Sequence, residues 1–185
     1  MALKSTIFKA DVQIADMDRN YYAEHSLTLA RHPSETDERL MARLLAFIFN
    51  ADPALEFGRG ISTDDEPDLW QKDLTGNVER WIDLGQPDER DIRRACGRAN
   101  HVTLYLYGGR SADVWWQQTG PKLAGLDNLS VWRLPQDSVA ALAKLAERNM
   151  KLQATIQEGL AWLGNDQDNL SLEPVCLKGE KGREK

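Results

Sequence analysis

One seven-residue run, residues 101–107, is largely apolar on both of its faces. It reads HVTLYLY and ends at the pair Gly108 and Gly109. A strand that is apolar on both faces is covered on both sides, which is typical of parallel sheets. Residues 87–99, just before it, have the pattern of a helix with a proline in the first turn. A buried strand reached through a helix predicts a crossover connection, and therefore a parallel or mixed sheet.

The remaining patterns predict an α/β protein of mixed, α+β character. Helices are expected over residues 34–50, 111–118 and 135–148, where apolar residues recur at helical spacing. Strands are expected over residues 3–15, 21–31, 55–62, 68–73, 78–85, 129–134, 150–156, 160–163 and 170–177. Residues 34–107 then have the order αβββαβ, with an N-terminal hairpin and C-terminal strands that extend or cover this core.

Length and composition predict a single domain. The chain has 185 residues, of which 42% are hydrophobic and 28% charged, as is common in soluble globular proteins. We expect one domain over residues 1–178 and a charged, disordered tail over residues 179–185. The net charge of −6 argues against a protein whose whole surface binds nucleic acid, but it permits one local basic groove.

The sequence predicts a reduced, cytoplasmic protein that does not enter a membrane. Cys96 and Cys176 are far apart, and no Cys-x-x-Cys pair indicates a zinc site or a disulfide framework. The N-terminal residues lack the apolar core of a signal peptide. No apolar run approaches the ~18 residues that a membrane-spanning helix needs.

Acidic residues cluster around Pro67 and recur on the strand that follows. The clustered residues are Asp64, Asp65, Glu66 and Asp68. On the predicted strand 78–85, Glu79, Trp81 and Asp83 share one face, because strand residues alternate between faces. Two acids on one strand face near an acidic turn are suited to bind a divalent cation. The alternative is an acidic turn beside a half-exposed strand whose carboxylates are solvated.

A row of arginines lies on the helix predicted over residues 87–99. Arg90, Arg94 and Arg98 repeat every four residues and therefore share one face. They are candidates for phosphate contacts in a nucleic-acid complex. The alternative is a solvated face on which they pair with Glu89 and Asp91. His25 and His32 have no spacing typical of a metal site.

Eight separated segments form one set along the chain. They are residues 1–4 (MALK), 27–35 (LTLARHPSE), 64–68 (DDEPD), 81–85 (WIDLG), 95–96 (AC), 115–118 (WWQQ), 128–132 (NLSVW) and 152–157 (LQATIQ). With these segments the whole chain resembles the YaeQ family. With the order αβββαβ and the acidic turn at Pro67, its core resembles the PD-(D/E)XK nuclease superfamily. The resemblance covers about residues 1–175. It implies a restriction-endonuclease-like core over residues 34–107, whereas the family name itself implies no settled activity.

The superfamily motif implies a magnesium site. Asp68 follows Pro67 as the motif requires and would bind Mg²⁺, and Glu79 matches the second acidic position. Glu66 and Asp83 would be further metal ligands. The resemblance departs from the motif at Trp81, where a lysine should activate the attacking water.

Two basic residues could replace the missing lysine. Lys72 on the preceding strand and Arg94 on the following helix could each project a cation into the site. Trp81 itself is compatible with a plain role in the core.

Three functional hypotheses follow. The chain could be a Mg²⁺-dependent nuclease that acts through Asp68 and Glu79 on phosphodiester bonds. It could instead be a catalytically degenerate nuclease fold that binds nucleic acid or the transcription machinery. The third hypothesis is a protein-interaction module without nucleic acid. The acids around Pro67 favour the first hypothesis, the missing lysine favours the other two, and the acidic net charge favours the third.

Overall fold

The computed structural model describes residues 4–59 and 65–180. Its helices are α1 (Asp37–Phe49), α2 (Glu89–Arg98), α3 (Arg110–Leu123) and α4 (Gln136–Ala143). Its strands are β1 (Thr6–Asp16), β2 (Tyr21–Arg31), β3 (Leu55–Phe57), β4 (Leu69–Lys72), β5 (Val78–Leu84), β6 (Ala99–Leu106), β7 (Leu129–Arg133), β8 (Asn149–Gln157), β9 (Leu160–Gly164), β10 (Asn169–Leu172) and β11 (Val175–Lys178). The predicted mixed α/β class is confirmed.

The strands form two mixed sheets. The outer sheet has the order β10-β9-β8-β1-β2, and the central sheet has the order β11-β7-β6-β5-β4-β3. In the central sheet β5, β6 and β7 are parallel, whereas β3, β4 and β11 join it antiparallel. In the central sheet, α2 joins β5 to β6 and α3 joins β6 to β7, so each of these parallel pairs is joined through a helix. The crossover into β6 is the one that the buried run 101–107 predicted.

Helix α1 is buried between the two sheets. Every residue from Leu40 to Ile48 is buried, including Arg43. These side chains pack with the inner faces of both sheets and with α4 in one hydrophobic cluster. A helix that is covered all round in this way belongs to a protein core. Its first turn is capped by Thr36, whose Oγ1 accepts the Arg39 N–H at 3.1 Å.

Helices α2 and α3 cover the other face of the central sheet. Ile92 and Ala95 of α2 and Leu123 of α3 pack there with alternate residues of β5, β6 and β7. The molecule thus has four layers: the outer sheet, α1 with α4, the central sheet, and α2 with α3. Residues on β5 therefore alternate between the layer of α1 with α4 and the layer of α2 with α3. A shift of the strand register by one residue would move every side chain of β5 to the opposite layer.

The structure follows the predicted order αβββαβ as α1-β3-β4-β5-α2-β6, with three corrections. Strand β3 has three residues and lies at a sheet edge, not at the centre; the end of the predicted strand 55–62 lies outside the described residues. The predicted strand 170–177 is two strands in different sheets, separated at Pro174, which cannot donate to a ladder. The hairpin and C-terminal strands also build the separate outer sheet, apart from β11.

The predicted tail is only partly described. Residues 181–185 lie outside the described residues. Glu180 lies against the fold, with its carboxylate 3.0 Å from Nδ1 of His101. Among the described residues, no helix is long and apolar enough to cross a bilayer.

Candidate functional site

The candidate site lies where the parallel strands of the central sheet end. Leu84, the last residue of β5, is followed by Gly85, and Tyr107 follows β6. Ligands of open α/β sheets bind outside the carboxyl ends of the parallel strands, because the helices begin there and the backbone turns away. Asp68 reaches this end from the adjacent strand β4, which runs in the opposite direction.

Asp68 and Asp83 meet at this end. The register that places Leu69 opposite Ile82 also places Asp68 beside Asp83. The backbone N–H of Asp68 donates to Oδ1 of Asp83 at 3.2 Å, and Oδ2 of Asp68 accepts the Leu84 N–H at 2.9 Å. Each aspartate is thus hydrogen-bonded to the strand that carries the other, which fixes the separation of the two carboxylates.

Asp83 is a carboxyl group in an unfavourable place for a charge. Burial first, and then the nearby Asp68 carboxylate, raise the pKa of Asp83 to about 6. The indole N–H of Trp81 donates to Oδ2 of Asp83 at 2.8 Å, and this hydrogen bond opposes the rise in pKa. Trp81 itself is buried in the layer under α2 and α3, where it packs edge-on against Trp70.

Arg39 links Asp68 to a buried ion pair on α1. Its Nη2 donates to Oδ1 of Asp68 at 2.7 Å, and its Nη1 is 3.9 Å from Oε2 of Glu35. Glu35 in turn accepts from Nη2 of Arg43 at 2.7 Å, with both side chains almost fully buried. Nη1 of Arg39 is buried and has no hydrogen-bond partner among the described residues. This unsatisfied donor makes Arg39 a candidate for contacting an anionic ligand.

Tyr107 and Glu38 complete the surroundings of Arg39. Burial raises the pKa of the Tyr107 hydroxyl, while the Arg39 guanidinium lowers it and the carboxylates of Asp68, Glu35 and Glu38 raise it. Oε2 of Glu38 is 3.5 Å from Nε2 of Gln136. The site therefore holds more carboxylates than cations, and one of its acids carries a raised pKa.

Gly58 allows the Asp68 segment to reach the site. A Cβ at position 58 would lie 2.0 Å from the carbonyl oxygen of Pro67. The N–H of Gly58 also donates to the Asp68 carbonyl at 2.9 Å. Only glycine permits this close backbone approach, which explains why the strand pattern contains a glycine here.

The model of the YaeQ protein family matches residues 1–174 of the chain. The chain belongs to the YaeQ family. It is 51% identical over 172 residues to "Uncharacterized protein YaeQ" of Escherichia coli K12, covering 93% of this chain and 95% of that protein. It is equally identical over 173 residues to the protein of the same name from Salmonella typhi, covering 94% and 96%. The family resemblance predicted from the sequence is confirmed.

Two crystal structures of YaeQ proteins have the same fold as this chain. The protein from Xanthomonas axonopodis pv. citri superposes with a TM-score of 0.92 at 48% identity, covering 95% of this chain and 99% of that one. The protein from Pseudomonas syringae superposes with a TM-score of 0.91 at 38% identity, covering 96% and 98%. The four-layer arrangement is therefore a property of the YaeQ family.

The other predicted acids lie away from the pair formed by Asp68 and Asp83. Glu79 lies near the start of β5, four residues and about 13 Å along the strand from Asp83. Both of its carboxylate oxygens accept from Nδ2 of Asn100 at 3.1 Å. Glu66 pairs instead with Arg59, at 3.2 Å. Among the described residues, no group of three or more His, Cys, Asp or Glu side chains is placed to hold a metal ion.

The predicted basic residues have partners of their own. Nζ of Lys72 lies 3.8 Å from the centre of the Trp70 ring, and Arg94 pairs with Asp91 at 2.9 Å. Neither contacts Asp68 or Asp83. The other two arginines of the row also lie near acids, Arg90 at 3.5 Å from Asp88 and Arg98 at 3.9 Å from Asp65. The row is an exposed face of α2 on which each arginine lies beside a carboxylate.

Arg39 and Tyr107 are the site residues that sequence reasoning missed. The one signal was on the helix: Arg39 and Arg43 are spaced by one turn, and Arg43 falls on the apolar stripe of α1. An arginine at a core position requires a buried partner, and here that partner is Glu35. Nothing in the local pattern connects Arg39 to Asp68, which is 29 residues away in the chain.

Proposed function

We propose that this protein is a divalent-cation-dependent phosphodiesterase of nuclease type that acts at the site formed by Asp68 and Asp83. One observation carries the proposal: two carboxylates from neighbouring strands are fixed side by side where the parallel strands end. The raised pKa of Asp83 supports it, because a carboxyl group that resists ionisation beside another acid gains from a bound cation. A nucleic-acid substrate and a cytoplasmic location belong to the same proposal.

The donor set suits magnesium. Mg²⁺ prefers oxygen ligands and is commonly bound through one or two carboxylates, with waters and substrate phosphates as the remaining ligands. Each carboxylate oxygen of Asp68 and Asp83 accepts a hydrogen bond or ion-pair contact from a described residue, and a carboxylate oxygen has a second acceptor site. Asp68 and Asp83 would hold the ion. When bound, Mg²⁺ supplies an acidified water and neutralises charge on a phosphate.

The pair also suggests how the chain relates to the PD-(D/E)XK superfamily. Asp68 is the acid that follows the motif proline, and Asp83, rather than Glu79, is the strand acid nearest to it. The position two residues after Asp83 is Gly85, so a motif lysine is missing in this alignment as well. Gly85 has φ of 96°, a backbone conformation in which a lysine would be strained.

Arg39 is the residue that would act on the phosphate. Its Nη2 holds Asp68 in place, and its Nη1 has a hydrogen to donate. A guanidinium group keeps its charge at all working pH values and can donate to two oxygens of a phosphate. Tyr107 lies near Arg39, and its raised pKa keeps the hydroxyl protonated, so that it can donate a hydrogen bond to the same ligand.

A second function, binding without cleavage, is favoured by the same arginine. Oδ1 of Asp68 is already paired with Arg39 at 2.7 Å, so a metal ion at Asp68 competes with this ion pair. No lysine is hydrogen-bonded to either aspartate among the described residues. A nuclease-like fold with this arrangement would serve as a nucleic-acid-binding or protein-interaction module, for example one related to transcription.

Calorimetric titration with Mg²⁺ or Mn²⁺ tests the metal site. We expect binding by the wild type, and its loss in Asp68→Asn and in Asp83→Asn, because each change removes a ligand charge. Glu79→Gln is the matched control, since it removes a carboxylate from the same strand outside the pair. Loss of binding in Glu79→Gln alone, or no binding by the wild type, contradicts the proposed site.

Cleavage assays then separate the two functions. Single-stranded DNA, double-stranded DNA and RNA are incubated with the wild type in Mg²⁺ or Mn²⁺, and binding is measured in parallel. Metal-dependent cleavage that disappears in Asp83→Asn supports the phosphodiesterase. Binding without cleavage by any preparation supports the binding module. Neither binding nor cleavage removes both nucleic-acid functions and leaves a protein-interaction module.

A further inference from the structure

A second cleft opens between the outer and central sheets, on the face of β5 opposite to Asp83. The cleft has a volume of about 920 Å³. Its inner wall includes Phe49 of α1, Arg80 of β5, Tyr105 of β6 and Trp132 of β7. Side chains on β5 alternate, so Arg80 and Asp83 point to opposite sides of the central sheet. This inter-sheet cleft has the size of a pocket for a small molecule, and it is separate from the candidate phosphodiesterase site.

The wall of the inter-sheet cleft is aromatic. The rings of Phe49 and Tyr105 are stacked with their centroids 6.4 Å apart, and the side chain of Trp132, two strands from β5, is half-buried. Most of the surface that a ligand would meet is therefore flat and apolar. Such a wall suits a planar ring, which stacks on aromatic side chains at little cost in conformational entropy.

Fixed polar groups lie among these rings. Nδ2 of Asn50 donates to the Tyr105 hydroxyl at 2.8 Å, which holds that hydroxyl in place. The hydroxyls of Thr103 and Ser130 are 3.2 Å apart on neighbouring strands. Groups held in this way give orientation to a ligand, because they lose little freedom when it binds.

The charges around the cleft are mainly negative. The lining residues include five carboxylates, Asp16, Asp18, Glu158, Glu173 and Glu180, and two arginines, Arg19 and Arg80. His101 also lines the cleft, with its Nδ1 3.0 Å from the Glu180 carboxylate. Asp16 and Arg19 neutralise each other in an ion pair at 2.8 Å. Asp18 accepts the N–H groups of Glu158 and Gly159, and Glu158 and Glu173 are exposed at the rim. This excess of carboxylates favours a cation and opposes an anion.

We propose that the inter-sheet cleft binds a small organic cation with a planar aromatic ring, such as an aromatic amine. The ring stacks on Trp132 and its neighbours, and the ammonium group lies toward the acidic rim. An aromatic wall adds to the electrostatic attraction, because the face of an indole attracts a cation directly. This proposed ligand site does not depend on the proposed phosphodiesterase activity, because Arg39, Asp68 and Asp83 do not line the inter-sheet cleft.

Three ligands with the same ring but different charge test the proposal. Tryptamine is cationic, indole is neutral and indole-3-acetate is anionic at neutral pH, and each is titrated into the full chain by calorimetry. We expect tryptamine to bind about two- to ten-fold more tightly than indole, indole-3-acetate to bind weakest, and added salt to weaken only the tryptamine complex. Tightest binding of indole-3-acetate, or no binding of tryptamine, overturns the proposal.

Variants then locate the site. Trp132→Ala should weaken tryptamine binding about ten-fold or more, whereas Trp162→Ala, which removes an exposed tryptophan of the outer sheet, should leave it unchanged. The double change Glu158→Gln with Glu173→Gln affects exposed side chains and should not disturb folding. It should weaken tryptamine binding about two- to five-fold and leave indole binding unchanged. Equal effects of Trp132→Ala and Trp162→Ala, or no effect of the double change, contradict the assignment.

Discussion

The backbone N–H of Asp68 donates to the carboxylate of Asp83, while the side chain of Asp68 accepts from the residue that follows Asp83. The strand register and these two hydrogen bonds therefore fix the positions of the two aspartates. A carboxylate pair that is fixed in this way would lose little freedom on binding the proposed cation. The same rigidity keeps two like charges close together when no cation is present.

The first prediction is that stability depends on pH through Asp83. Its pKa is raised from 3.8 to about 6 on folding, so between these values the folded state binds more protons than the unfolded state. The contribution of Asp83 to the free energy of unfolding should therefore be largest below pH ~4. It should fall by on the order of 2–3 kcal/mol as the pH rises to about 6 and stay level above that pH. Asp83→Asn should remove this dependence and be more stable than the wild type at pH 8.

Urea denaturation at several pH values measures this effect. Glu79→Gln, on the same strand, should keep the wild-type pH profile. An unchanged profile in Asp83→Asn would show that another group titrates. Saturating Mg²⁺ should raise the stability of the wild type at pH 8, where Asp83 is ionised, more than at pH 5.

The second prediction concerns the contact between Gly58 and Pro67. In Gly58→Ala the new Cβ would overlap the Pro67 carbonyl, so the backbone before Asp68 has to move. We expect a loss of stability of about 1–3 kcal/mol and weaker metal binding, because Asp68 is displaced from Asp83. The matched control is Gly97→Ala on α2, where a Cβ would meet nothing within 4 Å. That change should stabilise the protein by up to about 1 kcal/mol and leave metal binding unaltered.

The third prediction concerns the buried ion pair between Glu35 and Arg43. Glu35→Ala leaves the guanidinium of Arg43 buried without a carboxylate partner among the described residues, although it still donates to the Ala30 carbonyl. We expect a loss of about 3–5 kcal/mol, because a buried charge without its counter-ion is costly. Arg90→Ala, which breaks an exposed pair with Asp88, should leave the midpoint of urea denaturation unchanged. Similar midpoints for the two variants would show that α1 is not held by this pair.

The fourth prediction identifies which cation assists the proposed phosphodiesterase. Arg39→Ala should lower turnover by ~10²–10³-fold, as is typical when a charge-stabilising donor is removed. Lys72→Ala and Arg94→Ala should keep turnover near the wild-type value, because their side chains are engaged by Trp70 and Asp91 away from the aspartates. If Lys72→Ala or Arg94→Ala lowers turnover and Arg39→Ala does not, the assisting cation is Lys72 or Arg94, as the sequence predicted.

A fifth prediction separates binding from catalysis. If the row of arginines on α2 contacts phosphates, then Arg90→Ala and Arg98→Ala should weaken nucleic-acid binding and flatten its salt dependence without changing turnover of bound substrate. The measurement is affinity at several salt concentrations. Unchanged affinity in both variants would show that the row is only a solvated face, on which each arginine lies beside an acid.

Local periodicity was sufficient to predict most elements. The alternation in residues 3–15 and 21–31 predicted β1 and β2, because one face of β1 is buried and one face of β2 is half-buried, while the other faces are exposed. The buried run 101–107 correctly indicated a crossover in a parallel or mixed sheet, and β6 in fact has a parallel neighbour on each side. Periodicity does not say which strands share a sheet, however, so the separate outer sheet and the position of β11 could not be predicted.

The site depended on information that the sequence pattern lacks. Strand alternation predicted Glu79 and Asp83 on the same face of β5, and only the register with β4 decides which one meets Asp68. The pairing of β4 with β5 shifts at an irregularity between Gln71 and Lys72, and no pattern in the local sequence predicted this shift. The pairing of Arg39 with Asp68 likewise joins a helix to a distant strand. Residue type and spacing therefore indicated the acids but not their partners.

The position of β1 has a consequence for how the chain is made. β1 pairs in parallel with β8, and Lys9 lies opposite Asn149, about 140 residues later. During synthesis on the ribosome, the hairpin β1–β2 emerges early, but one side of β1 has no partner until β8 has been translated. An 11-residue strand with an open edge can pair with another chain in the meantime. The open edge of β1 is thus expected to stay unpaired during synthesis until β8 (Asn149–Gln157) has been made.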